Sequence, residues 1–287
     1  MPTRAEIIEQ IRQNNVFDAV MLKAKWAHDH INDLYGALED FFDPHPYVVT
    51  VDKEAQPGNI VYIYAGCVSQ GTDNPFPVAV HGHVGDALYN LRSALEHLAW
   101  QLVLANGETP GTGTGFPILD LSAKDSDSLF NRKVRGMRNE TVEAIARLKP
   151  YKGANNLLWL LHQLNGIDKH HELLGIGTAH VGQTHLPSKQ REIEAAWRSM
   201  HPHGNASFIS TRMTPTPHVK VLEAGDILRV VPEEEYDPNM QFQFQVTFAI
   251  PGIAEAKSAI DTLKEMERVV VGIIADFSRD GHLRLGT

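Results

Sequence analysis

The chain has 287 residues, of which 43% are hydrophobic and 21% are charged. These proportions are typical of globular proteins and exclude a disordered chain. A formal net charge of -9 gives no general attraction to phosphate backbones, so it counts against a nucleic-acid partner. The single cysteine, Cys67, excludes an intrachain disulfide. Together with the lack of a signal-like segment or a long apolar run, it predicts a cytoplasmic protein without a membrane partner.

The N-terminal part of the chain is predicted to form a long helix followed by a hairpin. Apolar residues recur at helical spacing from about Thr3 to Phe42. The segment DPHPY ends this helix, because proline cannot continue the hydrogen-bond ladder. Residues 47–66 then alternate β-branched and aromatic side chains around a Pro-Gly pair, a pattern typical of a β-hairpin.

Five further helices are predicted from apolar residues at helical spacing. They run from about Val84 to Asn106, from Ser126 to Phe130, from Asn139 to Leu148, from Ala154 to Leu174 and from Ile253 to Ser278. The stretch NGETPGTGTG at 106–115 has no Lys-Ser/Thr pair after its glycines. It therefore predicts a flexible connection and not a phosphate-binding P-loop.

The part of the chain after Leu174 is predicted to be mainly β. The segments SFISTRM, VKVLEAGDILRVV and MQFQFQVTFAI alternate polar and apolar residues, which predicts an antiparallel sheet. The fold class is therefore α+β: a helical bundle with an inserted β-hairpin, then an antiparallel sheet and a C-terminal helix that packs back on the bundle. The corresponding division is residues 1–174, 175–252 and 253–287.

Several ionisable side chains fall on or near helix faces that should be buried. On the leucine-rich helix, Asp168 and His171 share the arc of the leucines. His28 lies among the apolar residues of the first helix, and Arg92 lies at the border of the apolar stripe of the second, with Glu96 one turn beyond. A solitary buried charge is unfavourable. We therefore expect these groups to meet inside the bundle.

Two other sets of polar residues have no predicted functional role. His30 and Asp33 face away from the apolar stripe of the first helix. His81 and His83, in HGHVGD, have the His-x-His spacing of ligands on a strand, but the adjacent glycines favour a loop.

Two motifs resemble a pattern that recurs in an uncharacterised bacterial family of about this length. They are YNLRSALEHLAWQL at 89–102 and LNGIDKHHELL at 164–174. The resemblance covers most of the chain, including FPI at 116–118 and the β-rich second half. It supports the predicted fold and implies no established activity.

Within the first motif, Arg92 and His97 have the Arg-x-x-x-x-His spacing that is similar to HEPN domains, which are helical ribonucleases that work without metal. The resemblance implies that Arg92 stabilises the scissile phosphate and that His97 acts in acid-base chemistry. It also implies a homodimer and an RNA substrate, whereas the acidic net charge counts against RNA. This first hypothesis is a metal-independent endoribonuclease or toxin-type domain.

The second hypothesis is a metal-dependent hydrolase or oxygenase, either mononuclear or di-iron-like. Its ligands to a divalent transition metal would come from His28, Glu96, Asp168 and His171. Asp168-x-x-His171 has the spacing of the Glu-x-x-His motif in di-iron bundles, where two copies occur. This chain offers one copy, which favours a mononuclear site or none; the substrate of this hypothesis would be a small molecule.

The third hypothesis is a non-enzymatic module that binds a small molecule or a protein. In that case the buried ions have a structural role, and Arg92 forms an ion pair with Asp168.

Overall fold

The computed structural model describes residues 4–68, 76–120, 126–170, 174–185, 199, 212–216 and 219–284. The helices are α1 (Arg4–Phe42), α2 (Val78–Ala105), α3 (Ser126–Lys133), α4 (Asn139–Arg147), α5 (Asn156–His170) and α6 (Ala259–Arg279). The strands are β1 (Tyr47–Asp52), β2 (Asn59–Cys67), β3 (Ile176–His185), β4 (Arg212–Pro215), β5 (Ile227–Pro232) and β6 (Gln241–Phe248). The predicted α+β class is confirmed.

The chain forms two compact units, and each is built from segments that are distant in sequence. The first unit comprises Met1–Glu39, Pro77–Leu174 and Ala259–Thr287, and the second comprises Asp40–Phe76 and Gly175–Ser258. The sequence division had grouped the hairpin with residues 1–174. In the structure, the hairpin strands lie in the second unit with the later strands.

Helix α2 is the central element of the first unit. Five of its leucines lie in the core and are at most 1% exposed: Leu88, Leu91, Leu95, Leu98 and Leu102. Burial of each of these side chains contributes about 2 kcal/mol. Helices α5 and α6 pack against α2 and against each other. The predicted return of the C-terminal helix to the bundle is therefore confirmed.

Helix α1 has one narrow stripe of residues that is buried in the first unit. Its buried residues alternate spacings of four and three: Val20, Ala24, Ala27, Ile31, Leu34 and Leu38. This spacing is that of an amphipathic helix with one apolar seam. Leu34 belongs to this stripe, whereas the neighbouring Tyr35 is half-exposed.

The second unit contains two three-stranded antiparallel sheets among the described residues, in the orders β1-β2-β5 and β4-β3-β6. The predicted hairpin is confirmed, with Tyr47 opposite Cys67 and Asp52 opposite Val61. Strand β5 was expected to join the other strands of the second half. It pairs with β2 instead, where Val231 packs in a core cluster with Ile60 and Tyr62.

None of the helices in the described ranges combines the length and the apolar character that crossing a membrane requires.

Candidate metal centre

Helices α1 and α2 bring three metal-ligating side chains together in the first unit. His30 and Asp33 lie one turn apart on α1, and His83 lies in the second turn of α2. Each residue offers one ligand atom, and the three atoms lie within 4.8 Å of one another. Two ligands at about 2.1 Å from one ion are at most about 4.2 Å apart. Coordination of a single ion by all three therefore requires any pair separated by more than about 4.2 Å to move closer.

One imidazole nitrogen of this cluster is buried without a hydrogen bond. His30 Nδ1 has no hydrogen-bond partner in the described part of the chain. Oδ2 of Asp86 lies 4.0 Å from this nitrogen, which is too far for a hydrogen bond. The rings of His30 and His83 are tilted by 39°, with centroids 6.0 Å apart. An unsatisfied buried nitrogen is unfavourable, and coordination of a cation would satisfy it.

The cluster contains a short motif that occurs on both helices. His30-Ile-Asn-Asp33 on α1 and His83-Val-Gly-Asp86 on α2 are both His-x-x-Asp. Residues three apart share one face of a helix, so each copy presents an imidazole and a carboxylate together. This repetition was the available sequence signal. It was missed because His30 and Asp33 face away from the apolar stripe of their helix.

The prediction of a loop at HGHVGD was wrong. Helix α2 begins at Val78, six residues before the predicted start at Val84, so His81 and His83 are helical. The two glycines are accommodated in the first turns because Gly82 is exposed and Gly85 lies against another side chain.

His28 lies at the surface and not in the predicted buried stripe. Its side chain is 54% exposed, and Nδ1 lies 2.9 Å from Oε1 of Glu267 on α6. Ala27 and Ile31 occupy the buried positions on either side. His28 therefore links the edges of two helices by an ion pair when it is protonated.

Asp168 lies against the backbone of α2. A Cβ atom at Gly85 would be only 2.7 Å from Oδ2 of Asp168, so the absence of a side chain at Gly85 makes room for the carboxylate. Burial and the neighbouring charge of Asp86 raise the pKa of Asp168, and Lys169 opposes the shift. His171, its predicted partner, lies outside the described residues.

Arg92 is paired within its own helix. Its guanidinium forms an ion pair with Glu96, one turn further along α2, and Nη2 donates a hydrogen bond of 3.0 Å to the carbonyl of Phe116. The amide of Phe116 in turn donates to Glu96 Oε2 at 3.1 Å. In place of the expected pair with Asp168, Arg92 thus belongs to a network that attaches residue 116 to α2, while its Nη1 is buried without a hydrogen-bond partner among the described residues.

Two further ionisable groups surround this network. Burial lowers the pKa of the Lys133 ammonium, and the carboxylate of Glu96 opposes the shift. Burial and the charges of Arg92 and Lys133 lower the pKa of His162 to about 4, so this imidazole is neutral at pH 7. Gly115 allows the close approach, since a Cβ atom there would be 2.6 Å from Glu96 Oε2.

His97 points to a different environment from Arg92. It is exposed and lines a surface cleft of about 350 Å³ together with Glu96, Trp100, Gln101 and Thr114. The side chain of Arg92, in contrast, is 6% exposed. Of the two residues in this Arg-x-x-x-x-His motif, Arg92 is therefore buried and His97 is exposed.

The structure does not bring together at one point the predicted site residues that it describes. His28 pairs with α6, Asp168 contacts Gly85, and Glu96 pairs with Arg92. Gly85 and Glu96 are separated by about 16 Å along the axis of α2. A helical wheel gives the direction of a side chain but not its height along the bundle. Residues on inward faces can therefore lie at different levels.

Comparison with protein-family models, with curated proteins and with solved structures finds no match to this chain.

Proposed function

We propose that this protein is a mononuclear metal-dependent hydrolase, with a divalent transition metal bound between α1 and α2. The observation that carries the proposal is the set of three ligand atoms, from His30, Asp33 and His83, within 4.8 Å of one another. Two imidazoles and one carboxylate are the ligand types that zinc, iron(II) and manganese(II) accept.

The ligand set differs from the one expected from the sequence. The proposed site lies in the bundle, as in the metal hypothesis, but its proposed ligands are His30, Asp33 and His83 in place of His28, Glu96, Asp168 and His171. The unsatisfied Nδ1 of His30 supports this choice, because a hydrogen-bonded nitrogen would be less available to a metal.

Hydrolysis follows from the open coordination positions. Three protein ligands leave room for a water molecule, and a bound divalent ion makes that water acidic enough to supply hydroxide near neutral pH. Asp86 is 60% exposed and lies 4.0 Å from His30, where its carboxylate can accept the proton. The exposure of Asp33 and Asp86 lets water reach the site, which favours hydrolysis over oxygen chemistry. The substrate would be a small molecule, and the single Cys67 is in keeping with a cytoplasmic site of action.

The decisive experiment is metal titration of chelator-treated protein. We expect one ion per chain by calorimetry with Zn²⁺, Mn²⁺ and Co²⁺, and a cobalt absorption spectrum that reports nitrogen and oxygen ligands. Asp33→Asn and His83→Gln should each weaken binding by at least about tenfold. His28→Gln and Asp29→Asn are matched controls on α1, because both residues are exposed. Equal affinity in all four variants, or no binding by the wild type, would contradict the proposal.

Activity is the second readout. The metal-loaded protein should hydrolyse members of a panel of aryl esters and aryl phosphates, and chelation should abolish the reaction until metal is restored. If the protein binds metal through these residues but hydrolyses nothing in the panel, the proposed metal site would be supported and the proposed hydrolysis would be contradicted.

The metal-independent nuclease stays a separate hypothesis with its own test. It predicts cleavage of RNA in the presence of chelator, with loss of cleavage in His97→Ala. Because His97 is exposed, this variant should remain folded, so a loss of cleavage would report on chemistry. RNA left intact by the wild type under varied conditions would remove the hypothesis.

A further inference from the structure

A groove on the first unit combines positive charge with an exposed aromatic ring. One part is the cleft of about 350 Å³ that contains His97 and Trp100, and the other is a cleft of about 650 Å³ along residues 108–114. Thr114 lines both, so they adjoin. We call the two together the loop groove. Each part has the size of a small-molecule site.

The basic end of the loop groove is formed by three cationic side chains within four consecutive residues, 132–135. Arg132, Lys133 and Arg135 all line it, and Glu108 is the one carboxylate in its lining. Within the described residues, no carboxylate oxygen lies within 4.0 Å of the charged nitrogens of these three cations, and Glu96, which lines the adjoining cleft, interacts with Lys133 at longer range. A local positive patch in a chain with a net charge of -9 is a feature that needs an explanation.

The glycine-rich loop contributes backbone donors to the same end. The amides of Thr112 and Gly113 donate no backbone hydrogen bond to other described residues. In contrast, the amide of Thr114 donates to the carbonyl of Gly111, and the amide of Gly111 donates to the hydroxyl of Thr114. A Cβ atom at Gly113 would be 3.2 Å from Cγ of Arg132, so the aliphatic part of that side chain lies on the loop. Amides without a backbone partner among the described residues, in a loop that lines the same cleft as guanidinium groups, are groups that can bind an oxyanion.

The other end of the loop groove offers a surface for a flat ring. Trp100 is 46% exposed, although tryptophan is usually buried against other apolar groups. His97 and Gln101 lie beside it in the lining, and the amide of Gln101 can donate and accept hydrogen bonds. A planar aromatic ligand would cover the indole and lie within reach of these polar groups.

We propose that the loop groove binds a small molecule with a phosphate group at one end and a planar aromatic ring at the other. The phosphate lies among Arg132, Lys133 and Arg135, and the ring lies on Trp100. This site is independent of the proposed metal centre, because His83 and His97 are about 21 Å apart along α2.

The probes are phenyl phosphate, inorganic phosphate and phenol, each titrated by calorimetry into the chelator-treated full chain, so that the proposed metal centre neither binds nor hydrolyses them. We expect phenyl phosphate to bind more tightly than inorganic phosphate and phenol not to bind detectably. Equal affinity for phenyl phosphate and inorganic phosphate would overturn the assignment of the ring to Trp100. No binding of phenyl phosphate at millimolar concentration would overturn the whole proposal.

Charge variants separate a local site from general attraction. The double variant Arg132→Gln/Arg135→Gln should weaken phenyl phosphate binding by at least about tenfold. The control Lys25→Gln/Arg268→Gln removes the same charge from exposed positions on α1 and α6, and should change the affinity by about twofold at most. Equal losses in the two double variants would indicate an adventitious charge effect and would overturn the proposal.

Ring variants test the other end. Trp100→Ala should reduce the affinity for phenyl phosphate to that for inorganic phosphate, and Trp100→Phe should retain part of the difference. His83→Gln should bind phenyl phosphate like the wild type, because it alters the metal centre alone. A loss of binding in His83→Gln would overturn the independence of the two sites.

Discussion

Arg92 and Glu96 form an ion pair that connects the interior of the first unit with its surface. The Arg92 side chain is 6% exposed and that of Glu96 is 37% exposed, so the carboxylate keeps contact with water while it neutralises a buried cation. The same carboxylate accepts a hydrogen bond from the amide of Phe116. Its loss would therefore leave a buried guanidinium without a counter-ion and the amide of Phe116 without its acceptor.

We expect Glu96→Gln to lower the free energy of unfolding by about 1 to 3 kcal/mol, because a neutral amide compensates the Arg92 guanidinium poorly. The double variant Arg92→Met/Glu96→Met should be more stable than Glu96→Gln, since it removes the buried charge together with its partner. Urea denaturation of both proteins measures the difference. A double variant that is less stable than the single one would contradict a structural role for this pair.

Gly85 is expected to be the least tolerant glycine of α2. Gly85→Ala places a Cβ atom 2.7 Å and 2.9 Å from the two carboxylate oxygens of Asp168, and the required shift should cost about 1 to 3 kcal/mol. Gly82 is the matched control on the same helix, because a Cβ atom there meets nothing within 4 Å. Gly82→Ala should stabilise the protein by about 0.5 to 1 kcal/mol through its higher helix propensity. Thermal unfolding of the two variants should therefore shift in opposite directions.

Metal binding should stabilise the first unit. An ion at a hundred times its dissociation constant adds about 2.7 kcal/mol to the free energy of unfolding, which corresponds to an increase in Tm of about 5 to 10 °C. His28→Gln should show the same increase as the wild type, and His83→Gln, which binds at least about tenfold more weakly, should show about half of it or less. Differential scanning calorimetry with and without metal provides the measurement. An equal increase in His83→Gln would place the ion elsewhere.

His162 should make stability depend on pH. Its folded-state pKa is about 4, below the ordinary value of 6.5, so the unfolded chain binds a proton more readily. The stabilisation is complete above pH 6.5 and is lost as the pH falls towards 4. Since part of the ring reaches solvent, we expect the loss to be about 1 to 2 kcal/mol between pH 7 and pH 4.5. His162→Gln should lose correspondingly less over the same range in urea denaturation. A parallel pH profile in the two proteins would show that His162 does not contribute.

The helices were predictable because their signals are local. The apolar seam of α1 and the leucines of α2 lie in regular spacings within one segment, and those spacings alone determine an amphipathic helix. The position of β5 was not predictable in this way. Its pairing with β2 joins residues such as Ile60 and Val231, and alternation of side chains in a strand does not specify which neighbour it takes.

The site was only partly predictable for a related reason. Burial directs attention to inward-facing charges, and it correctly drew attention to Arg92 and Asp168 as ionisable residues next to the core of the bundle. The proposed ligands His30, Asp33 and His83 lie on faces that a helical wheel assigns to solvent. They come together only because two polar helix faces meet, and a single-helix pattern contains no information about that meeting.

The pairing of β2 with β5 also affects when the protein can fold. Strand β2 ends at Cys67 and β5 begins at Ile227. At a synthesis rate of about 5 to 20 residues per second, β5 is therefore made roughly 10 to 30 s after β2, and until then this edge of β2 is unpaired. Helix α6, which closes the first unit, emerges later still. Neither unit can reach its final state on the ribosome until most of the chain has been made. In the meantime the open backbone groups of β2 are a natural target for chaperones and for unwanted strand pairing.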